Sequence, residues 1–187
     1  VDTDVDELPT GAPGLAAPLA AVAALAGPVT GDAVADLIEA AEPQAHRYRV
    51  TLKLPRPCAT QRLSLPVWIP GSYMVREFSR HLSRLQARQG TRECRIEQLD
   101  KCSWQVPCQG SQTLVLSYEV YAFDTSVRSA FLDDRRGFFN GTSLCLQVDG
   151  RDQQPHRLRI GTLPKGWQVA TAMPATAVAA AAISVGA

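Results

Sequence analysis

From His46 onward the sequence alternates with a period of two, and that period constrains the fold more than any other feature. Tyr48, Val50, Leu52 and Leu54 interleave with Arg47, Arg49, Thr51 and Lys53, the pattern of a strand with one buried face. Leu63, Leu65 and Val67 repeat it, and Leu114, Leu116, Tyr118 and Val120 make Thr113–Tyr121 the strongest strand signal in the chain. Shorter runs follow at Arg95–Leu99, Ser103–Val106, Ser143–Val148, His156–Ile160 and Trp167–Ala170. Asp100-Lys101, Asp149-Gly150 and Pro164-Lys165-Gly166 supply turns between them. Short strands punctuated this often predict an all-β fold, an antiparallel β-sandwich. A parallel α/β sheet needs long amphipathic helices between strands, and none is written here. Val75, Phe78, Leu82 and Leu85 fit either a short helix or a strand resuming at Leu82.

Charge divides the chain into three parts. Residues 1–45 hold Asp2, Asp4, Asp6, Glu7, Asp32, Asp36, Glu39 and Glu42 with no Lys or Arg. Residues 46–173 carry all 19 basic side chains, and residues 174–187 carry no charge. The expected organisation is a flexible acidic, Ala/Pro-rich leader (1–45), a β-sandwich domain (46–173) and an Ala-rich low-complexity tail (174–187). Within the leader, Val34, Leu37 and Ile38 at one-face spacing predict a short helix over Gly31–Ala41 that Asp32 can cap. The uncharged run from Leu8 to Gly31 follows acidic rather than basic residues and is interrupted by prolines. It therefore reads neither as a secretory signal nor as a membrane span.

Composition and motifs exclude several function classes. The basic residues are scattered on alternate strand positions without any nucleic-acid-binding motif, which suits a solvated strand face and no nucleic-acid partner. Cys58, Cys94, Cys102, Cys108 and Cys145 are odd in number, and none forms a CxxC pair. Reduced, mostly buried thiols of a cytoplasmic protein are expected, with a Cys102–Cys108 disulfide as the alternative. His46, His81 and His156 have no histidine partner at helical spacing, so no zincin site exists in this chain and no metal or cofactor is expected in it. Each histidine is read as a surface or satisfied residue. No Gly-x-Ser-x-Gly elbow or phosphate loop is present, and Asp133-Asp134 reads as a solvated turn. No catalytic residue is therefore assigned.

Three stretches carry more information than strands require. The first is Leu65–Phe78, where Pro70-Gly71 fits the central pair of a type II turn. Trp68 and Tyr73 there are expected to anchor the sandwich or its contact with another domain. The second is Tyr118–Asp133, which turns polar at Asp124, Thr125 and Ser126 before Arg128. A guanidinium is favoured where a planar fork must meet a carboxylate, either an internal acid or a substrate or partner. The third is Phe138–Thr142, in which two aromatics precede Asn140-Gly141-Thr142, a tight turn that also spells a glycosylation sequon.

Trp68, Pro70, Gly71, Tyr73 and Arg76 in the first stretch, Ser126-Val127-Arg128 in the second, and the Phe138–Thr142 run together resemble the N-terminal domain of the glycyl-aminopeptidase family of zinc metallopeptidases, whose members often carry a PDZ domain. The resemblance spans roughly Arg47 to Met173. It implies a saddle-like, non-catalytic β domain packed on a zinc-binding catalytic domain that is absent from this chain, in which zinc and a His-Glu-x-x-His motif are expected. The β domain is expected to help shape the peptide cleft. Its partners would be that catalytic domain and the peptide substrate, with Arg128, Asn140, Gly141 and Thr142 as contact candidates. The chain itself is then expected to be an inactive fragment. The alternative is a free-standing β-sandwich that binds carbohydrate or protein.

Overall fold

A computed structural model describes residues 33–174. The leader before Ala33, including Asp32, and the tail beyond Pro174 lie outside the described residues. Two sheets and a short hairpin make up the domain. The larger sheet joins β1 (Val34–Glu42), β2 (Arg47–Leu54), β4 (Leu82–Gln89), β5 (Arg92–Cys94), β8 (Leu114–Tyr121) and β12 (His156–Ile160) in the order β12-β1-β2-β8-β4-β5. The smaller joins β3 (Thr60–Ser64), β6 (Glu97–Gln98), β7 (Ser103–Pro107) and β11 (Gln147–Val148) in the order β11-β3-β7-β6. The hairpin pairs β9 (Ala130–Leu132) with β10 (Gly137–Phe139). Every pairing is antiparallel except β1 with β12, which run parallel.

The core follows the predicted alternation. Tyr48, Val50, Leu52 and Leu54 of β2 register opposite Val120, Tyr118, Leu116 and Leu114 of β8, and all eight are buried. Leu63, Trp104, Val106 and Val148 of the smaller sheet join the same cluster. The antiparallel, sandwich-like β architecture is therefore as expected.

Four elements differ from expectation. Residues 34–42 form a strand rather than a helix, so the sheet starts inside the segment read as leader. Their apolar residues fit helical spacing, but pairing β1 on both edges satisfies its backbone and buries Val34 and Ile38. Phe78–His81 is a 3-10 turn, after which β4 begins at Leu82, so both readings of that segment hold in part. Ser143–Val148 is not one strand: Asn140 caps a single helical turn, α1 (Gly141–Leu144), and only Gln147–Val148 pairs. Trp167–Ala170 keeps its alternation, with Trp167 and Val169 half-buried and Gln168 and Ala170 exposed, yet it joins no ladder.

The outward face of the larger sheet holds Arg47, Arg49 and Lys53, as the scattered charges suggested. Glu119 organises part of it. This buried carboxylate accepts from Arg47 at 3.4 Å, Arg49 at 3.5 Å and Arg84 at 3.2 Å. Arg84 reaches it from an irregularity in β4 between Ser83 and Gln86, with φ of 55°. A bulge re-aims a side chain in this way at the cost of a strained backbone. The inward face has its own polar anomaly. Asp36 lies opposite Leu52 in the core, and its Oδ1 has no hydrogen-bond partner.

Candidate functional site

The three information-rich stretches converge on one end of the domain. The first is a braced loop. Val67 O accepts from Arg76 N at 2.7 Å, and Ile69 O accepts from Ser72 N at 3.1 Å across Pro70-Gly71. Gly71 has φ of 78°, which fits the second central position of the predicted type II turn. Arg76 donates from Nε and Nη2 to Ser72 Oγ at 3.3 and 3.2 Å. Ile69, Ser72 and Phe78 are the buried anchors of this loop. Trp68 and Tyr73 do not anchor the sandwich: Trp68 is 56% exposed and Tyr73 fully so, beside exposed Met74 and Val75. The internal bonds hold the turn while its apolar side chains face outward.

This loop runs into the Phe78–His81 turn, which lies next to α1. Asn140 starts α1. Its Oδ1 accepts from Thr142 N at 3.1 Å and from Thr142 Oγ1 at 2.7 Å. The turn reading of Asn140-Gly141-Thr142 thus takes the form of a helix cap. Asn140 N in turn donates to Ser129 O at 2.9 Å, joining the third stretch to the second. Arg128 beside it is exposed; its backbone N–H donates to Ser126 Oγ at 3.3 Å. Its guanidinium pairs with no acid among the described residues, so the internal ion pair considered for it does not form.

Between these stretches lies a cleft of about 270 Å³, lined by Arg80, His81, Tyr121, Phe123, Asp124, Ser129 and Ala130. Tyr121 and Phe123 leave β8 side by side, 45% and 55% exposed. The backbone then folds back, with Asp124 N donating to Ala130 O at 3.1 Å. Two histidines flank Tyr121. His81 tilts against it with ring centroids 6.2 Å apart, and His46 meets it edge-on at 5.9 Å. His46 also lies 3.9 Å from the Phe123 ring, and its Nδ1 is 2.6 Å from Leu132 O. That contact makes Nδ1–H the donor. Phe123 continues the aromatic row to Phe131 and Phe138, where Arg136 sits 5.3 Å over the Phe131 ring.

The electrostatics of the cleft are balanced. Arg80 Nε donates to His81 Nε2 at 3.0 Å, which makes that nitrogen the acceptor and places the ring proton on Nδ1. Burial, then the Arg80 charge, hold the imidazole below its ordinary pKa, against a smaller upward pull from Asp124. His81 is therefore neutral at pH 7. Asp124 accepts from Ser126 N through Oδ1 at 2.8 Å. Arg80 and Asp124 face the same cleft without pairing to each other. Sequence reading missed this arrangement because its members are spread from His46 to Ala130, and an isolated histidine carries no spacing signal.

Neither a metal centre nor a disulfide is built into this end. Among the described residues no group of three or more His, Cys, Asp or Glu side chains is placed to hold a metal ion. All five cysteines are free thiols, so Cys102 and Cys108 are not joined. Cys58 is exposed, Cys94 is buried and the other three are intermediate. No helix among the described residues is long and apolar enough to cross a membrane.

The model of the peptidase M61 N-terminal domain matches residues 37–184. The chain belongs to this family. The match begins inside β1, in keeping with a sheet that starts before His46. The fold is also similar to the crystal structure of an aminopeptidase N family protein from Idiomarina loihiensis, with 38% identity and a TM-score of 0.74. That likeness covers 79% of this chain and 25% of the Idiomarina chain, so the M61 domain described here corresponds to about a quarter of that protein. No curated protein matches the chain.

Proposed function

We propose that this M61 N-terminal domain is the non-catalytic β domain of a zinc-dependent aminopeptidase, and that it packs on the catalytic domain and shapes one side of the peptide cleft. The observation that carries the reading is the 38% identity to an aminopeptidase N family protein over only 25% of that protein's length. This leaves most of the relative for other functions. The residues described here do not fit a metal site, so zinc would be held by the catalytic domain and no catalytic step is assigned to this chain.

The converging end is the surface offered to that domain. Trp68, Tyr73, Met74 and Val75 are the residue types enriched at the centre of protein interfaces, apart from Val75. Arg128, Asn140, Gly141 and Thr142 are the contact candidates on the same surface; the Arg128 guanidinium, unpaired among the described residues, suits a carboxylate of the peptide or of the catalytic domain. Free thiols throughout the described domain suit a reducing, cytoplasmic location.

The test compares two proteins in an aminoacyl-anilide assay. The chain alone should release no amino acid with zinc present. The same chain extended through the coding sequence downstream of residue 187 should turn over, lose activity to a chelator and regain it with zinc. Turnover by the chain alone, or a downstream sequence without His-Glu-x-x-His, overturns the proposal.

A further inference from the structure

We propose that the cleft between Arg80 and Asp124 binds a free α-amino acid with an aromatic side chain. The inference goes beyond the role proposed above and rests on the cleft itself. Its lining includes the guanidinium residue Arg80 and the carboxylate residue Asp124, which form no salt bridge with each other, together with the aromatic Tyr121 and Phe123. A ligand that matches must carry both charges together with an apolar group.

Arg80 is already oriented. Its Nε is committed to His81 Nε2 at 3.0 Å, which leaves the paired Nη groups to meet a carboxylate as a fork. Ser126 N occupies Asp124 Oδ1 at 2.8 Å, leaving Oδ2 to accept from an ammonium. The neutral His81 adds no third charge. Tyr121 and Phe123, about half-exposed, supply the apolar aromatic surface of the cleft. His46 and Phe131 buttress Phe123 from outside the cleft.

Size narrows the ligand further. About 270 Å³ falls just under the roughly 300–1,000 Å³ of drug-sized sites, which suits a single amino-acid residue. The first residue of a peptide keeps its ammonium, but its carboxyl group is tied up in an amide. Only the free amino acid has ammonium and carboxylate on one carbon.

The experiment is calorimetric titration of the full chain, which involves no hydrolysis, so its failure is separable from failure of the aminopeptidase reading. L-Phenylalanine should bind saturably. 3-Phenylpropionate, 2-phenylethylamine and L-alanine, each lacking one feature, should bind about tenfold more weakly or worse. Arg80→Gln should weaken L-phenylalanine and phenylpropionate but leave phenylethylamine unchanged; Asp124→Asn, which keeps the Oδ1 acceptor for Ser126 N, should do the converse. Thermal melts report whether each variant is folded, and the analogue series on the unaltered chain stands without them. No saturable heat up to about 10 mM, phenylpropionate binding as well as phenylalanine, or folded variants that bind as the parent does would each overturn the proposal.

Discussion

Replacing Asp36 by Asn should stabilise the domain at neutral pH, and the gain should vanish in acid. The side chain lies on the inward face of β1, 5% exposed, with Oδ1 unpartnered. Desolvation raises its pKa from 3.8 to about 7. The unfolded chain loses this proton near pH 4, whereas the folded chain holds it until about pH 7. Between those values the folded state binds more protons, so stability falls as pH rises. Three pH units at 1.36 kcal/mol each set the loss at about 4 kcal/mol. Asparagine occupies the same volume without a charge to desolvate. The stability difference between variant and parent should therefore widen by about 4 kcal/mol from pH 4 to pH 7.5, or roughly 8–16 °C in melting temperature for a domain of this size. Urea unfolding at half-unit pH steps measures it, and taking the difference cancels exposed carboxylates such as Asp133, whose pKa is shifted downward by backbone donors. A difference that stays flat across this range would show that Asp36 is not held protonated by burial.

Other consequences are simpler to read. Glu119→Gln removes the carboxylate that Arg47, Arg49 and Arg84 share; because the arginines are partly exposed, the cost should be about 2 kcal/mol in urea unfolding, and it should shrink at high salt. Asn140→Ala deletes the Oδ1 cap of α1 and should cost about 1 kcal/mol in the same assay. Tyr73→Ala should change the melting point of the isolated chain by no more than roughly 0.5 kcal/mol equivalent, while lowering the stability or activity of the extended enzyme; equal effects in both would argue against an interface role. A thiol reagent should label exposed Cys58 promptly. Cys145, whose thiol is pushed up by burial and by the Asp36 charge, should react only as the domain unfolds.

The strands legible in the sequence were those whose two faces differ. β2 and β8 alternate without interruption and were read almost to the residue. β1 was not, for a reason visible at Asp36. A carboxylate among the inward positions breaks the period of two and leaves Val34, Leu37 and Ile38 at helical spacing. β9 was lost because Ala130, Phe131 and Leu132 are all buried, so no alternation marks them. The bulge at Arg84 likewise disguised where β4 begins. Of the site, sequence pointed to all three converging stretches but not to the cleft between them, which depends on contacts such as His46 with Phe123 and Asn140 with Ser129.

The departures from local rules also have a location. Arg47 of β2 registers opposite Tyr121 of β8, so the start of β2 and the end of β8 mark one end of the larger sheet. His46, in the left-handed region at φ of 57°, lies there and turns its ring onto Phe123. Arg84, at φ of 55°, lies there as well and reaches Glu119, two residues before Tyr121. Arg56, the third non-glycine residue at positive φ among the described residues, follows the far end of β2. Each such conformation costs on the order of 1 kcal/mol or more, and two of the three are used to aim side chains at the end that holds the cleft. A domain selected only to fill a sandwich core has no reason to concentrate strain, exposed rings and unpaired charge at one end. One that must present that end to a ligand or a neighbouring domain does.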